Sequence, residues 1–70
     1  MRYMVVLVQG PTSYGAYVPD LPGCIAVGES QQEALKLIRE AIEFHLEALK
    51  EEGRHIPAPH SSNTFVEVYA

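Results

Sequence analysis

Asp20 is the sole aspartate of this 70-residue chain, His45, His55 and His60 are its three histidines, and Cys24 is its one cysteine. With the glutamates, these are the side chains able to move protons, attack as nucleophiles or hold a metal. Phosphodiester hydrolysis at a two-metal centre needs several carboxylates converging on ions about 4 Å apart. Only Glu29, near a helix start, is placed to approach Asp20, whereas Glu40, Glu43, Glu47 and Glu51 recur along one solvated helix face. A transition metal would need ligands paired on a rigid element, and the histidines form no HxxxH pair and Cys24 has no second cysteine beside it. Cys24 lacks a histidine at the spacing of a known nucleophile family and reads as a small buried apolar residue. His45 falls on an apolar helix stripe, the place of a half-buried, hydrogen-bonded ring. No catalytic residue, metal or cofactor is therefore expected, and the chain is read as no enzyme.

Charge narrows the partners. Nine acidic residues against five basic ones leave a formal net charge of -4, a field that repels phosphate and offers little counterion release on DNA or RNA. Tyr3, Tyr14, Tyr17 and Tyr69 could stack on bases, but five scattered cations make no groove to hold a strand, so core and interface packing is their expected use. A basic protein is the better match. The longest apolar run, Met4 to Val8, is far short of the roughly 20 residues a membrane-spanning helix needs. A single cysteine and no signal-peptide pattern fit a reducing cytoplasm.

The length suits one domain over residues 1–70. A chain this short buries only about 60% of its extended surface, so oligomerisation is the expected supplement to its stability. Tyr3, Val5 and Leu7 alternate with Met4, Val6 and Val8, giving a first strand that is apolar on both faces. One helix can cover only one face, which leaves the other for a second subunit or a partner. Gln9 to Ser13 has the glycine and proline of a hairpin loop, Tyr14 to Val18 reads as an antiparallel second strand, and Cys24 to Val27 as a third, closed by Gly28.

Ser30-Gln31-Gln32-Glu33 is a capping-box start for a helix. Leu35, Ile38, Ala41, Ile42, His45, Leu46 and Leu49 form its apolar stripe, while Lys36, Glu40, Glu43, Glu47 and Glu51 face elsewhere. Gly53 suits a left-handed cap, predicting a helix of about 23 residues and roughly 35 Å. Pro57 and Pro59 make the next stretch an extended return connection, and Thr64 to Tyr69 alternates as a final strand beside the first. The expectation is an α+β, two-layer β-β-β-α-β domain, with one long helix on a mostly antiparallel four-stranded sheet.

Between the second and third strands, Pro19 and Pro22 fix φ and remove two backbone donors, while Gly23 permits a positive φ. The corner is rigid, and it serves either as a binding loop or as a simple strand connection.

Tyr17-Val18-Pro19-Asp20-Leu21-Pro22-Gly23-Cys24, then Gly28-Glu29-Ser30, Glu33-Ala34-Leu35, Ala41-Ile42, and Gly53 with Ile56-Pro57-Ala58-Pro59-His60-Ser61, resemble HicB antitoxin domains from about Tyr3 to Val68. The resemblance implies a partial RNase H-like fold and a homodimer or higher oligomer. It also implies neutralisation of HicA, a small basic RNA-cleaving toxin of double-stranded-RNA-binding fold, as the antitoxin of a bacterial toxin-antitoxin system. Many members add a C-terminal helix-turn-helix or ribbon-helix-helix that binds the operator; these 70 residues contain neither, so direct nucleic-acid contact is not expected. For a toxin-binding surface, Tyr17, Pro19, Leu21 and Pro22 are the candidate apolar centre, with Asp20 and Glu29 at its rim. Contacts through the helix are the alternative. A second reading is an orphan oligomeric scaffold or small-molecule-binding domain without a toxin partner.

Overall fold

Glycine and proline punctuation cuts the first 28 residues into three short strands, and the computed structural model, which describes residues 1–70, places them in one sheet. The strands are β1 (Val6–Gln9), β2 (Tyr14–Tyr17) and β3 (Ile25–Gly28), followed by helix α1 (Gln31–Glu51). Both pairings are antiparallel and the order is β1-β2-β3. A turn in which the Gly10 N–H donates to the Ser13 carbonyl at 2.8 Å joins β1 to β2.

Register decides which residues meet the helix, because residues opposite one another in a sheet share a face. Leu7, Ala16 and Ala26 form one row, and Val6, Tyr17 and Ile25 form a row on the other side, with Val8, Gly15 and Val27 next to it. The helix covers the first face. Ala16, Val18, Leu21, Cys24, Ala34 and Ile38 make the buried core, and Tyr3, Val5, Tyr14, Ala41, Ile42 and Leu46 pack around it. The second face is bare: Val8, Tyr17, Ile25 and Val27 are 52, 42, 67 and 63% exposed.

The ends of α1 are built from local hydrogen bonds. Ser30 is the N-cap, its Oγ accepting from the Glu33 N–H at 3.1 Å. The Glu33 carboxylate reaches back one residue further than a capping box requires and accepts from the Glu29 N–H at 3.1 Å. At the other end Gly53 has φ 66°, the Gly53 N–H donates to the Lys50 carbonyl and the Arg54 N–H to the Leu49 carbonyl. This is a Schellman cap, and it ends the helix after 21 residues, slightly short of the expected length.

Two expectations need correction. Leu35, placed on the apolar stripe, is 41% exposed, and Ala34 takes the buried position instead. The cause is the close approach of α1 to the end of β3: a Cβ on Gly28 would lie 2.7 Å from the Ala34 nitrogen. At so close a crossing there is room for glycine alone at position 28, and the helix residue buried there is Ala34, with Leu35 beside it exposed. The second correction concerns Thr64 to Tyr69, which form no strand; the sheet has three strands, not four, and residues 62–70 are exposed. Their alternation meets the local requirement for a strand, but a strand also needs a neighbour whose edge they reach.

Gly28→Ala should destabilise the chain by about 1 to 3 kcal/mol, because the atoms in the way are backbone and must be displaced. Urea unfolding followed by the far-UV signal measures it. An unchanged midpoint would show that α1 can lift from β3 at no cost.

Candidate interaction surface

Seven residues from Val18 to Cys24 carry the chain from β2 to β3 through two successive turns. The Leu21 N–H donates to the Val18 carbonyl and the Cys24 N–H to the Leu21 carbonyl, each at 3.1 Å, and the Val18 N–H closes the corner on the Cys24 carbonyl at 3.1 Å. In the second turn Pro22 and Gly23, with φ 84°, occupy the central positions of a type II turn, where the second residue must accept positive φ. Winding the chain this way drives two side chains inward. Leu21 is fully buried and Asp20 is 4% exposed, while Tyr17, Pro19 and Pro22 point outward.

Asp20 is the busiest polar group in the molecule. Its Oδ2 accepts from the consecutive backbone N–H groups of His60 and Ser61, both at 2.9 Å. Its Oδ1 accepts from the Ser61 hydroxyl at 2.6 Å and lies 3.1 Å from the His60 Nε2. Both oxygens are thus engaged by the chain's own return segment, which is further tied where the Tyr3 hydroxyl donates to the Pro57 carbonyl. The hydrogen bonds from the Ser61 hydroxyl and backbone, joined by those of His60 and its nearby ring, hold the Asp20 carboxyl at about 2, below the ordinary 3.8, although burial opposes them. The carboxylate is an internal anchor.

The structure therefore divides the six residues expected at a binding surface. Tyr17, Pro19, Pro22 and Glu29 are exposed, as a contact surface requires. Leu21 and Asp20 are turned away from solvent, one filling the core and the other clasping residues 60–61, so neither is presented to a partner in this conformation. Cys24 is buried, and desolvation pushes its thiol above the ordinary 9.0, in keeping with a small apolar role.

Two surface features were missed. Ser61 and His60 could not be matched to Asp20 from spacing, since some forty residues separate them. Phe44 lies off the apolar stripe and is 77% exposed; with Glu47, Ala48 and Glu51 it lines a shallow depression on α1. Helical spacing holds the signal for it, because Glu40, Glu47 and Glu51 stand four before, three after and seven after Phe44.

A family model described as HicB_like antitoxin of bacterial toxin-antitoxin system matches residues 3–68. The chain belongs to the HicB-like antitoxin family. Antitoxin HicB 2 of Photorhabdus laumondii is 32% identical over 71 residues, covering 100% of this chain and 51% of that protein. An uncharacterized 14.9 kDa protein of Haemophilus phage HP1 is 35% identical over 57 residues, 81% of this chain and 43% of its own length. The chain thus spans about half the length of these two relatives, but 84% of UPF0150 protein Ta0767 of Thermoplasma acidophilum, to which it is 40% identical over 58 residues, 81% of this chain. Among solved structures, the N-terminal domain of Burkholderia pseudomallei antitoxin HicB superposes with a TM-score of 0.73 at 36% identity, covering 83% of this chain and 69% of that one. A chain of the HicA3 and HicB3 toxin-antitoxin complex gives 0.68 at 29%, covering 84% and 72%. Three antiparallel strands followed by one long helix are thus the fold of a HicB N-terminal domain. No helix of this HicB-like chain is long and apolar enough to cross a membrane.

Because the folded Asp20 value lies below the unfolded one, the clasp contributes fully above pH 3.8 and is lost as the pH falls toward about 2. The denaturation midpoint should decline over that window in the natural chain, and the His60 and Ser61 amides should lose protection from exchange. Asp20→Asn should start lower at neutral pH and decline less steeply. Equal slopes for the two proteins would remove Asp20 from the acid response.

Proposed function

We propose that this HicB-like chain is an antitoxin that neutralises a HicA-type toxin by stoichiometric protein-protein binding and does no chemistry itself. The observation that carries the reading is the likeness, over 84% of this chain, to a chain of the HicA3 and HicB3 toxin-antitoxin complex. Charge supports it. A formal charge of -4 favours encounter with a basic protein, and complementary fields act mainly on the association rate. Affinity needs a desolvated apolar anchor ringed by polar groups, and Phe44 among Glu40, Glu47 and Glu51 has that form on α1. The outward residues of the corner, Tyr17, Pro19, Pro22 and Glu29, offer a second contact surface. We further propose that the chain self-associates, with the bare sheet face of Val8, Tyr17, Ile25 and Val27 as part of what is covered, and that it works in the cytoplasm.

Co-expression with a HicA-type toxin should restore growth, and the two proteins should co-purify. Truncating an interface aromatic anchor typically costs about 2 kcal/mol, roughly thirtyfold in Kd, so Phe44→Ala with Glu47→Lys should weaken toxin binding by that order while α1 stays folded. Tyr17→Ala with Pro22→Ala is the comparison: a loss confined to this pair would move the contact to the corner. No binding to any HicA-type toxin would sink the proposal and leave the orphan scaffold.

A further inference from the structure

Thr64–Tyr69 is the segment for which the fold has no use. Thr64, Val66 and Val68 alternate with Phe65, Glu67 and Tyr69, a strand former with one β-branched side and one that carries two aromatic rings. Yet Phe65, Val66, Val68 and Tyr69 are 97, 77, 78 and 91% exposed, and the segment joins no sheet. Its starting point is fixed. The Asp20 clasp holds His60 and Ser61, and Ser61–Asn63 share one open pocket with Arg2–Met4, so the segment leaves the body beside the beginning of β1.

β1 is an edge strand with no partner on its outer side. Leu7 shows the consequence, being 37% exposed although it shares the helix-covered face with buried Ala16. The molecule is elongated, with extents of 49 × 27 × 17 Å and a radius of gyration of 13.9 Å, against about 11 Å for a compact chain of this length.

We infer that Thr64–Tyr69 is exchanged between two copies of this chain, each laying it as an additional strand along the free edge of β1 in the other. The inference rests on the self-association proposed above and on nothing concerning the toxin. A second copy is the occupant because the two halves match in length, polarity and charge. Six residues in extended form span roughly 20 Å, enough to run along the whole of Val6–Gln9 and the apolar residues just before it. Both stretches are mostly apolar, Val66 and Val68 lining one side of the segment and Phe65 and Tyr69 flanking Glu67 on the other, and Glu67 is their sole charge, which gives a basic partner little to read. Reciprocal exchange is isologous, closes at two copies, and pairs the free edge of β1 in each of them. It also completes, between copies, the β-β-β-α-β order and fourth strand that the sequence predicts.

Sedimentation of the 70-residue chain over a concentration series should give a dimer. Glu67→Pro removes a strand donor, and Val66→Asp with Val68→Asp charges the β-branched side; each should weaken dimerisation by about tenfold or more, with the helical circular-dichroism signal retained. In an equimolar mixture of ¹³C-labelled and unlabelled chain, isotope-filtered NOEs should connect Val66 and Val68 with methyl groups of Val6, Leu7 or Val8 across copies. A monomer at every concentration overturns both the exchange and the self-association. A dimer indifferent to the substitutions overturns the exchange while self-association stands, as do NOEs found only within one copy. If a variant loses its helix, the NOEs of the unaltered chain decide.

Discussion

The carboxylate of Asp20, buried at a proline corner and filled by donors from residues 60 and 61, is the interaction on which the arrangement of both chain ends depends. A buried carboxylate without partners would be too costly to keep ionised, so the corner and the return segment must be present together. Two consecutive backbone amides and a hydroxyl supply what water would otherwise give. The corner in turn is held by Pro22 and Gly23 in a turn that sends Leu21 into the core beside Asp20. One short loop therefore plugs the end of the hydrophobic layer and fastens a segment some forty residues away.

The same economy explains what is left outside. A three-stranded sheet with a helix on one face cannot cover its other face, and only 9 of 70 residues are buried. A chain with so small a core gains stability most readily from association, and its exposed material is of two kinds. The bare sheet face and Thr64–Tyr69 are apolar and suit another copy of the chain. The outer side of α1 is acidic with one aromatic ring and suits a basic protein. On the proposed reading, self-assembly uses the first kind of surface and toxin capture the second.

Local patterns that depend on near neighbours were readable. The antiparallel hairpins follow from alternation and from the glycines and prolines between strands, and the start of α1 from Ser30 and Glu33, whose hydrogen bond forms as expected. Gly23 and Gly53 both take the positive φ assigned to them. The family was legible for the same reason, since its motif is the corner and the helix start. Periodicity placed Ile38, Ala41, Ile42, Leu46 and Leu49 on the inner side of α1 but not Leu35, because the close approach of the first turns to Gly28 is a contact between remote segments; Phe44, off the stripe, was within reach of helical spacing. Asp20 was misjudged as a surface charge because the donors that bury it lie far away in the chain.

What the sequence by itself determined is the first three strands and the helix, the apolar character of both sheet faces, the acidic balance and the rigid corner, all governed by interactions within a few residues. Tertiary structure alone decided which sheet face the helix covers, which way the corner's side chains point, and that Thr64–Tyr69 stands apart from its own sheet. Those outcomes depend on distances between remote segments, and a pattern of side chains along the chain carries no measure of such distances.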